Sequence, residues 1–287
     1  MKAISRASAV ILLTVLLSAC AGVGITAPNE APRATVVLSD YVGGLVTADV
    51  TINGETMPLI FDTGGGATVV TPEFAEQFGC APWGRMVGHR MRGDAIEAQI
   101  CGPEDIEVDG HASHDFVGVF DLSALLPPDL PPVGGILALS AFQGEVVTLD
   151  LASKQLILES AASLHARVGD RPGMPLRLQR ELTGLALTPF VPVHSEPGPL
   201  WFLVDSGHLG PVYLAPHARE ILAANGITRT TGDEIGIDLR LGDVELADLA
   251  VAQTDINYDG VIGPRVLEQM VITFDFQRHL FWAAPRQ

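Results

Sequence analysis

Apolar and polar residues alternate over residues 45–52, the pattern breaks at Asn53-Gly54, and an apolar run returns over residues 57–61. A period of two places one face of a strand on a core. Asn-Gly supplies the two left-handed positions of a tight turn, so the stretch predicts a hairpin of two antiparallel strands. Residues 185–193 follow the same plan, turning through Ser195-Glu196-Pro197-Gly198-Pro199 into an apolar run over residues 200–204. Each returning run ends in an aspartate, a hydroxyl residue and a glycine: Phe61-Asp62-Thr63-Gly64 and Val204-Asp205-Ser206-Gly207. Beyond each lies a second apolar segment, Thr68-Val69-Val70 or Val212-Tyr213-Leu214, and then a short helix with readable ends. Thr71 is the N-cap of the first, with Pro72 in the first helical position and Gly79 as its stop; Pro216 and Gly226 bracket the second.

The correspondence continues downstream. Gly135-Ile136-Leu137 matches Gly260-Val261-Ile262, and each leads into an apolar strand that carries an aspartate, Asp150 or Asp275, fifteen residues after the glycine. Equal spacing in two halves points to a duplicated unit rather than to shared composition. The predicted elements are mostly strands with short helices, and the boundary between copies falls in residues 161–173, around Arg167, Gly169, Asp170 and Pro172-Gly173. Thirty glycines and twenty prolines without a period, with aromatics at 6%, suit strands and tight turns. A single Asp-Thr-Gly is ordinary turn chemistry. Two of them at matching places in a duplicated β unit point instead to two carboxylates used together.

On Phe61-Asp62-Thr63-Gly64, Val204-Asp205-Ser206-Gly207 and Asp259-Gly260-Val261-Ile262-Gly263, the chain resembles the aspartic proteases, specifically bacterial retropepsin-like domains fused in tandem; the resemblance covers roughly residues 36–286. It implies an all-β, bilobal, pepsin-like acid protease fold, with β-barrel lobes at 35–160 and 173–287 joined by a linker at 161–172. In that family each lobe gives one aspartate to a site on a pseudo-twofold axis, which here makes Asp62 and Asp205 the catalytic pair and the molecule a monomer. Thr63 and Ser206 would hydrogen-bond across the lobe interface, while Gly64 and Gly207 would let backbone N–H groups approach the carboxylates. The chain departs from the family in three places. Ala138 stands where the second half has Gly263, three glycines run from Gly64 to Gly66, and no aromatic marks a flap, for which residues 85–98 are the candidate. His208 follows Asp205 by three residues, where the first half has Gly65. It either turns to solvent or faces the dyad loop and tunes its pH range.

Lys+Arg 17 against Asp+Glu 34 gives a net charge of −17, which excludes a phosphate-tracking nucleic-acid binder. Lys2 and Arg6 precede an apolar run that ends in Leu17-Ser18-Ala19-Cys20. This has the layout of a signal peptide (1–19) and resembles the lipobox of bacterial lipoproteins, with Cys20 lipidated. The alternative is an uncleaved anchor, since residues 7–27 carry no charge. Residues 20–34 read as a lipid-anchored tether. With Ala at position 21, the analogy with enteric bacteria favours the periplasmic face of the outer membrane. Cys80 and Cys101 remain, as a disulfide or as two buried thiols. Asp255–Gly260 opens like a calcium loop but has Val266 where the bidentate glutamate belongs. His111, His114 and Asp115 sit in a polar turn without a further ligand motif, so no metal and no cofactor is expected. The expected function is an envelope aspartic endopeptidase acting on peptides or proteins. Its rival is a catalytically silent lipoprotein that uses the same fold to bind a peptide or protein partner.

Overall fold

The computed structural model describes residues 31–127, 129–181, 183–231 and 234–286. The expected signal peptide, Cys20 and most of the tether lie outside the described residues. The fold is all-β with short helices, and the strands among the described residues form three sheets. In the first half, an eight-stranded sheet runs in the order Ser39–Asp40, Val46–Ile52, Glu55–Asp62, Gly135–Ala138, Val69–Val70, His111–Val119, Ala95–Val108 and Trp83–His89. The second half repeats it strand for strand: Arg177–Gln179, Thr188–Val193, Leu200–Val204, Gly260–Ile262, Val212–Leu214, Val244–Gln253, Glu234–Leu241 and Thr228–Thr231. The directions match too. Glu55–Asp62 runs parallel to Gly135–Ala138, and Leu200–Val204 runs parallel to Gly260–Ile262. The predicted hairpin is present, with Asn53 at φ 49° and Gly54 at φ 93° making the turn. One apolar core buries Phe61 and Phe202 of these sheets together with Phe74, Phe142, Phe274 and Phe281, each contributing roughly 1.5–3 kcal/mol by leaving water.

The third sheet has six strands and belongs to both halves. Its order is Ala34–Val37, Gln155–Leu158, Val146–Asp150, Met270–Asp275, Leu280–Pro285 and Met174–Pro175. The two strands that carry the matched aspartates pair antiparallel with each other, Val146 opposite Asp275 and Thr148 opposite Thr273. The Thr148 and Thr273 hydroxyls lie 2.7 Å apart, both buried. The halves are therefore stitched by backbone hydrogen bonds as well as by packing.

The linker expected at 161–172 is largely a helix, Ala161–Val168. Ser160 and Ser163 cap each other's backbone at its start, and Leu164 and Val168, one turn apart, pack on Trp282 of the last strand. Glycine and proline at 169–173 drew the boundary, but the capping box and the apolar stripe before them decide the structure. Cys80 and Cys101 form a disulfide with Cα atoms 6.0 Å apart, tying the end of the helix Pro72–Gln77 to the strand Ala95–Val108. A loop of 21 residues closed in this way is worth about 3 kcal/mol of lost chain entropy in the unfolded state.

Candidate active site

Glu55–Asp62 and Leu200–Val204 are the third strands of their sheets, and both deliver an aspartate to the same place. Each Asp turns its chain by accepting from a backbone N–H two residues on: Gly64 N to Asp62 Oδ1 at 2.8 Å and Gly207 N to Asp205 Oδ1 at 2.9 Å. The two turns then lock together. The Thr63 hydroxyl accepts from Ser206 N at 2.9 Å and donates to Val204 O at 2.7 Å. Reciprocally, the Ser206 hydroxyl accepts from Thr63 N at 3.0 Å and donates to Phe61 O at 3.1 Å. Thr63 and Ser206 are 0% and 1% exposed, so these four bonds are shielded from water.

The glycines after them allow the approach. A Cβ on Gly64 would sit 2.4 Å from Asp205 Cγ, and one on Gly207 would sit 2.7 Å from Asp62 Cγ. Each carboxyl therefore rests against the other half's glycine, where no side chain fits. The two carboxyls hydrogen-bond each other. Burial raises Asp62 above the ordinary carboxylate range, partly offset by hydrogen bonds from Asp205 and from the backbone of Gly64, Gly207 and Gly65. Asp205 is raised further, by burial first and then by the charge of Asp62 and the hydrogen bond between them. A pair of this kind holds one proton in common over a wide pH range.

The run of three glycines has its own reasons. A Cβ on Gly65 would lie 3.2 Å from Asp62 Oδ2, and Gly66 adopts φ 72° while its carbonyl accepts from Leu187 N of the second half at 3.0 Å. Sequence reading noted the glycines as a departure and missed this additional bond between the halves. His208 does not turn to solvent; its ring packs back on the loop that follows Asp205. It is 7% exposed, its Nε2–H donates to Pro211 O at 2.8 Å, and its ring lies 4.2 Å from the Tyr213 ring. Burial lowers its pKa, with the Pro211 bond opposing. Any tuning through an imidazolium is thereby displaced to lower pH than an exposed histidine would give.

The flap candidate at residues 85–98 is a hairpin of Trp83–His89 with Ala95–Val108, anchored through buried Met86 near Ala67 and Val69. Its tip crosses to the second half, where Met91 O accepts from Asn257 N at 2.8 Å and Arg92 Nη2 donates to Thr254 Oγ1 at 3.3 Å. Beside that landing point is half-buried Tyr258, whose hydroxyl is raised in pKa by burial and then by the charge of Asp205. Nothing in the repeat marked Tyr258, because Val133 occupies the matching position in the first half. Asp259, the start of the second repeat motif, receives Trp201 N at 2.7 Å and the His217 ring at 2.8 Å, and so shapes the loop. His111 and His114 part company: the first bonds Ala141 O and the second Asp105. Among the described residues no three His, Cys, Asp or Glu side chains gather as a metal ion would require.

No protein-family model matches the chain, and no curated protein matches it. Among solved structures it is similar to basic 7S globulin from soybean, with a TM-score of 0.53 and 10% identity over 86% of this chain and 93% of that one. At that identity the likeness speaks to the fold alone.

Proposed function

We propose that the chain is an aspartic endopeptidase with a bilobal, pepsin-like acid protease fold, its lobes at 35–160 and 173–287 each supplying one member of the dyad. The observation that carries this reading is the reciprocal seating of each aspartate on the opposite half's glycine, fixed by the four Thr63 and Ser206 hydrogen bonds. Such a site suits one reaction class. Two close carboxyls that share a proton can act on a bound water from one oxygen and on a carbonyl from another. The ionised carboxylate takes a proton from water as its oxygen attacks the peptide carbonyl carbon; the protonated carboxyl donates to the carbonyl oxygen. The pair's remaining proton then passes to the amide nitrogen, the C–N bond breaks and the amine leaves, while a hydroxyl of the tetrahedral gem-diol returns its proton to the other carboxylate, so that the carboxylic acid forms and the singly protonated pair is restored. The pair acts as a unit, so acid and base are not divided between Asp62 and Asp205.

The reading needs no metal or cofactor and no second subunit, since both aspartates lie in one chain. The N-terminal pattern of Lys2, Arg6 and Leu17-Ser18-Ala19-Cys20 supports placement in a bacterial envelope, lipid-anchored and facing the periplasm. The test is cleavage of a mixed peptide library across acid and neutral pH, followed by mass spectrometry. Asp62→Asn and Asp205→Asn should each abolish hydrolysis with the fold retained, because the substitutions are nearly isosteric and the residues act together. Cleavage by either variant at close to the parent rate would refute the shared-water mechanism, and an inactive parent would refute the enzymatic reading.

A further inference from the structure

We propose that Tyr258 is a substrate-contacting residue of this site, offering its phenolic hydroxyl to the backbone of the peptide bound beside Asp205. The inference rests on the endopeptidase reading. Three features converge on this side chain. Its ring is fixed, lying edge-on to Phe190 with centroids 5.1 Å apart, and Phe190 pairs with Leu203 on the strand that delivers Asp205. Its backbone is fixed as well, because the preceding residue, Asn257, donates its N–H to Met91 at the tip of the crossing hairpin. Gly93 of the same tip lies against the Asn257 side chain, where a Cβ would be 3.5 Å from Nδ2. Tyr258 is therefore held between the strand leading to the dyad and the hairpin that bridges the halves.

The hydroxyl itself is uncommitted. Among the described residues no protein group hydrogen-bonds it, although the residue is half-buried and Asp205 lies near enough for its charge to act on the phenol. A phenol whose ring is held against a neighbour of the strand that delivers Asp205, and whose hydroxyl no protein group occupies, is open to a ligand. A phenol offers both a donor and an acceptor, which fits the alternating C=O and N–H groups of an extended peptide. It also comes from the half opposite the hairpin, where the repeat gave no reason to look.

The test uses Tyr258→Phe, which keeps the ring against Phe190 and removes only the oxygen. Because the hydroxyl has no protein partner, thermal stability should be unchanged, whereas kcat/KM on a peptide cleaved by the parent should fall roughly three- to tenfold, the loss of one hydrogen bond. A group that holds the peptide before and during reaction acts mainly on KM. Binding of an uncleavable peptide, its scissile amide replaced by a hydroxyethylene group, should weaken by the same factor. If the parent cleaves and Tyr258→Phe matches it in kcat/KM and in binding, the inference is overturned and the endopeptidase reading stands. A variant less stable by the full cost of a buried hydrogen bond would also overturn it, since the hydroxyl would then serve the fold. If the parent neither cleaves nor binds the uncleavable peptide, both fall together.

Discussion

Replacing Thr63 by valine keeps the shape of the side chain and removes its oxygen, so it isolates what the interlocked turns are worth. Two hydrogen bonds disappear at once. Ser206 N loses its acceptor at 2.9 Å, and Val204 O loses a donor at 2.7 Å, at residues that are 0–1% exposed. A buried N–H without a partner costs about 1–3 kcal/mol, and the bond lost at the carbonyl, whose second lone pair softens the loss, costs about 0.5–1.5 kcal/mol. Thr63→Val should therefore destabilise the protein by about 2–4 kcal/mol. Thr63→Ser retains both bonds and deletes one buried methyl, at about 1 kcal/mol. In a chain of this size the valine variant should melt roughly 5–15 °C below the parent, with serine within a few degrees.

Urea titration gives the cleanest measure, since equal slopes with shifted midpoints report stability alone. The ordering parent, serine, valine should appear in the midpoint and again in kcat/KM, because Asp62 and Asp205 move when the turns do. Valine as stable and active as serine would show that the Thr63 oxygen carries no weight, and the cross-half lock would have to be abandoned as the device that seats the dyad.

The raised carboxyl pKa of Asp205 sets a pH dependence. A group whose folded pKa lies above its unfolded value of about 3.9 contributes stability below that value, and the contribution is lost as pH rises through the folded pKa. Asp205→Asn, neutral throughout, should therefore gain in urea midpoint relative to the parent from acid to neutral pH; parallel profiles would contradict the burial-and-repulsion account. Gly263→Ala places a Cβ 2.1 Å from His208 O and should cost more than about 3 kcal/mol or prevent folding. The reverse change in the first half, Ala138→Gly, should cost only about 1 kcal/mol, and equal effects in the two would mean that the halves are packed alike after all.

What the sequence disclosed is what the two halves share. Asp, hydroxyl and Gly recur because each copy must perform the same turn against the other, and the fifteen-residue spacing recurs because Gly135 and Gly260 enter matching central strands while Asp150 and Asp275 lie in the shared sheet. The antiparallel partnership of Val146–Asp150 with Met270–Asp275 was not legible. Strand pairing across 120 or more residues leaves no local period, since either strand would look the same beside any apolar neighbour. The disulfide was left open for the same reason. Features present in one half only were also hidden: the hairpin tip on Asn257, the Gly66 carbonyl on Leu187, and Tyr258 opposite Val133.

The departure at Ala138 follows from a difference in loop length. Val70 and Leu214 occupy matching registers, opposite Gly135 and Gly260, yet Val70 lies eight positions after Asp62 and Leu214 nine positions after Asp205. The longer loop of the second half folds His208 inward, onto Pro211 O and Tyr213, and brings its carbonyl to where a Cβ on residue 263 would be. Glycine is required there for space and not for backbone conformation, since Gly263 (φ −111°) and Ala138 (φ −99°) are both extended. The shorter loop of the first half closes with hydroxyls instead. Thr68 Oγ1 accepts from Ala138 N at 3.2 Å, and Ser140 Oγ accepts from Thr68 N at 3.1 Å, with Val212 and Arg265 at the matching positions of the second half. His208 and Gly263 thus form one solution to backing an aspartate turn, and Thr68, Ala138 and Ser140 form another. Both leave the carboxyls on the opposing glycines, so Ala138 argues neither for nor against the proposed activity, and the seating of the pair depends on the symmetric turns in front of it.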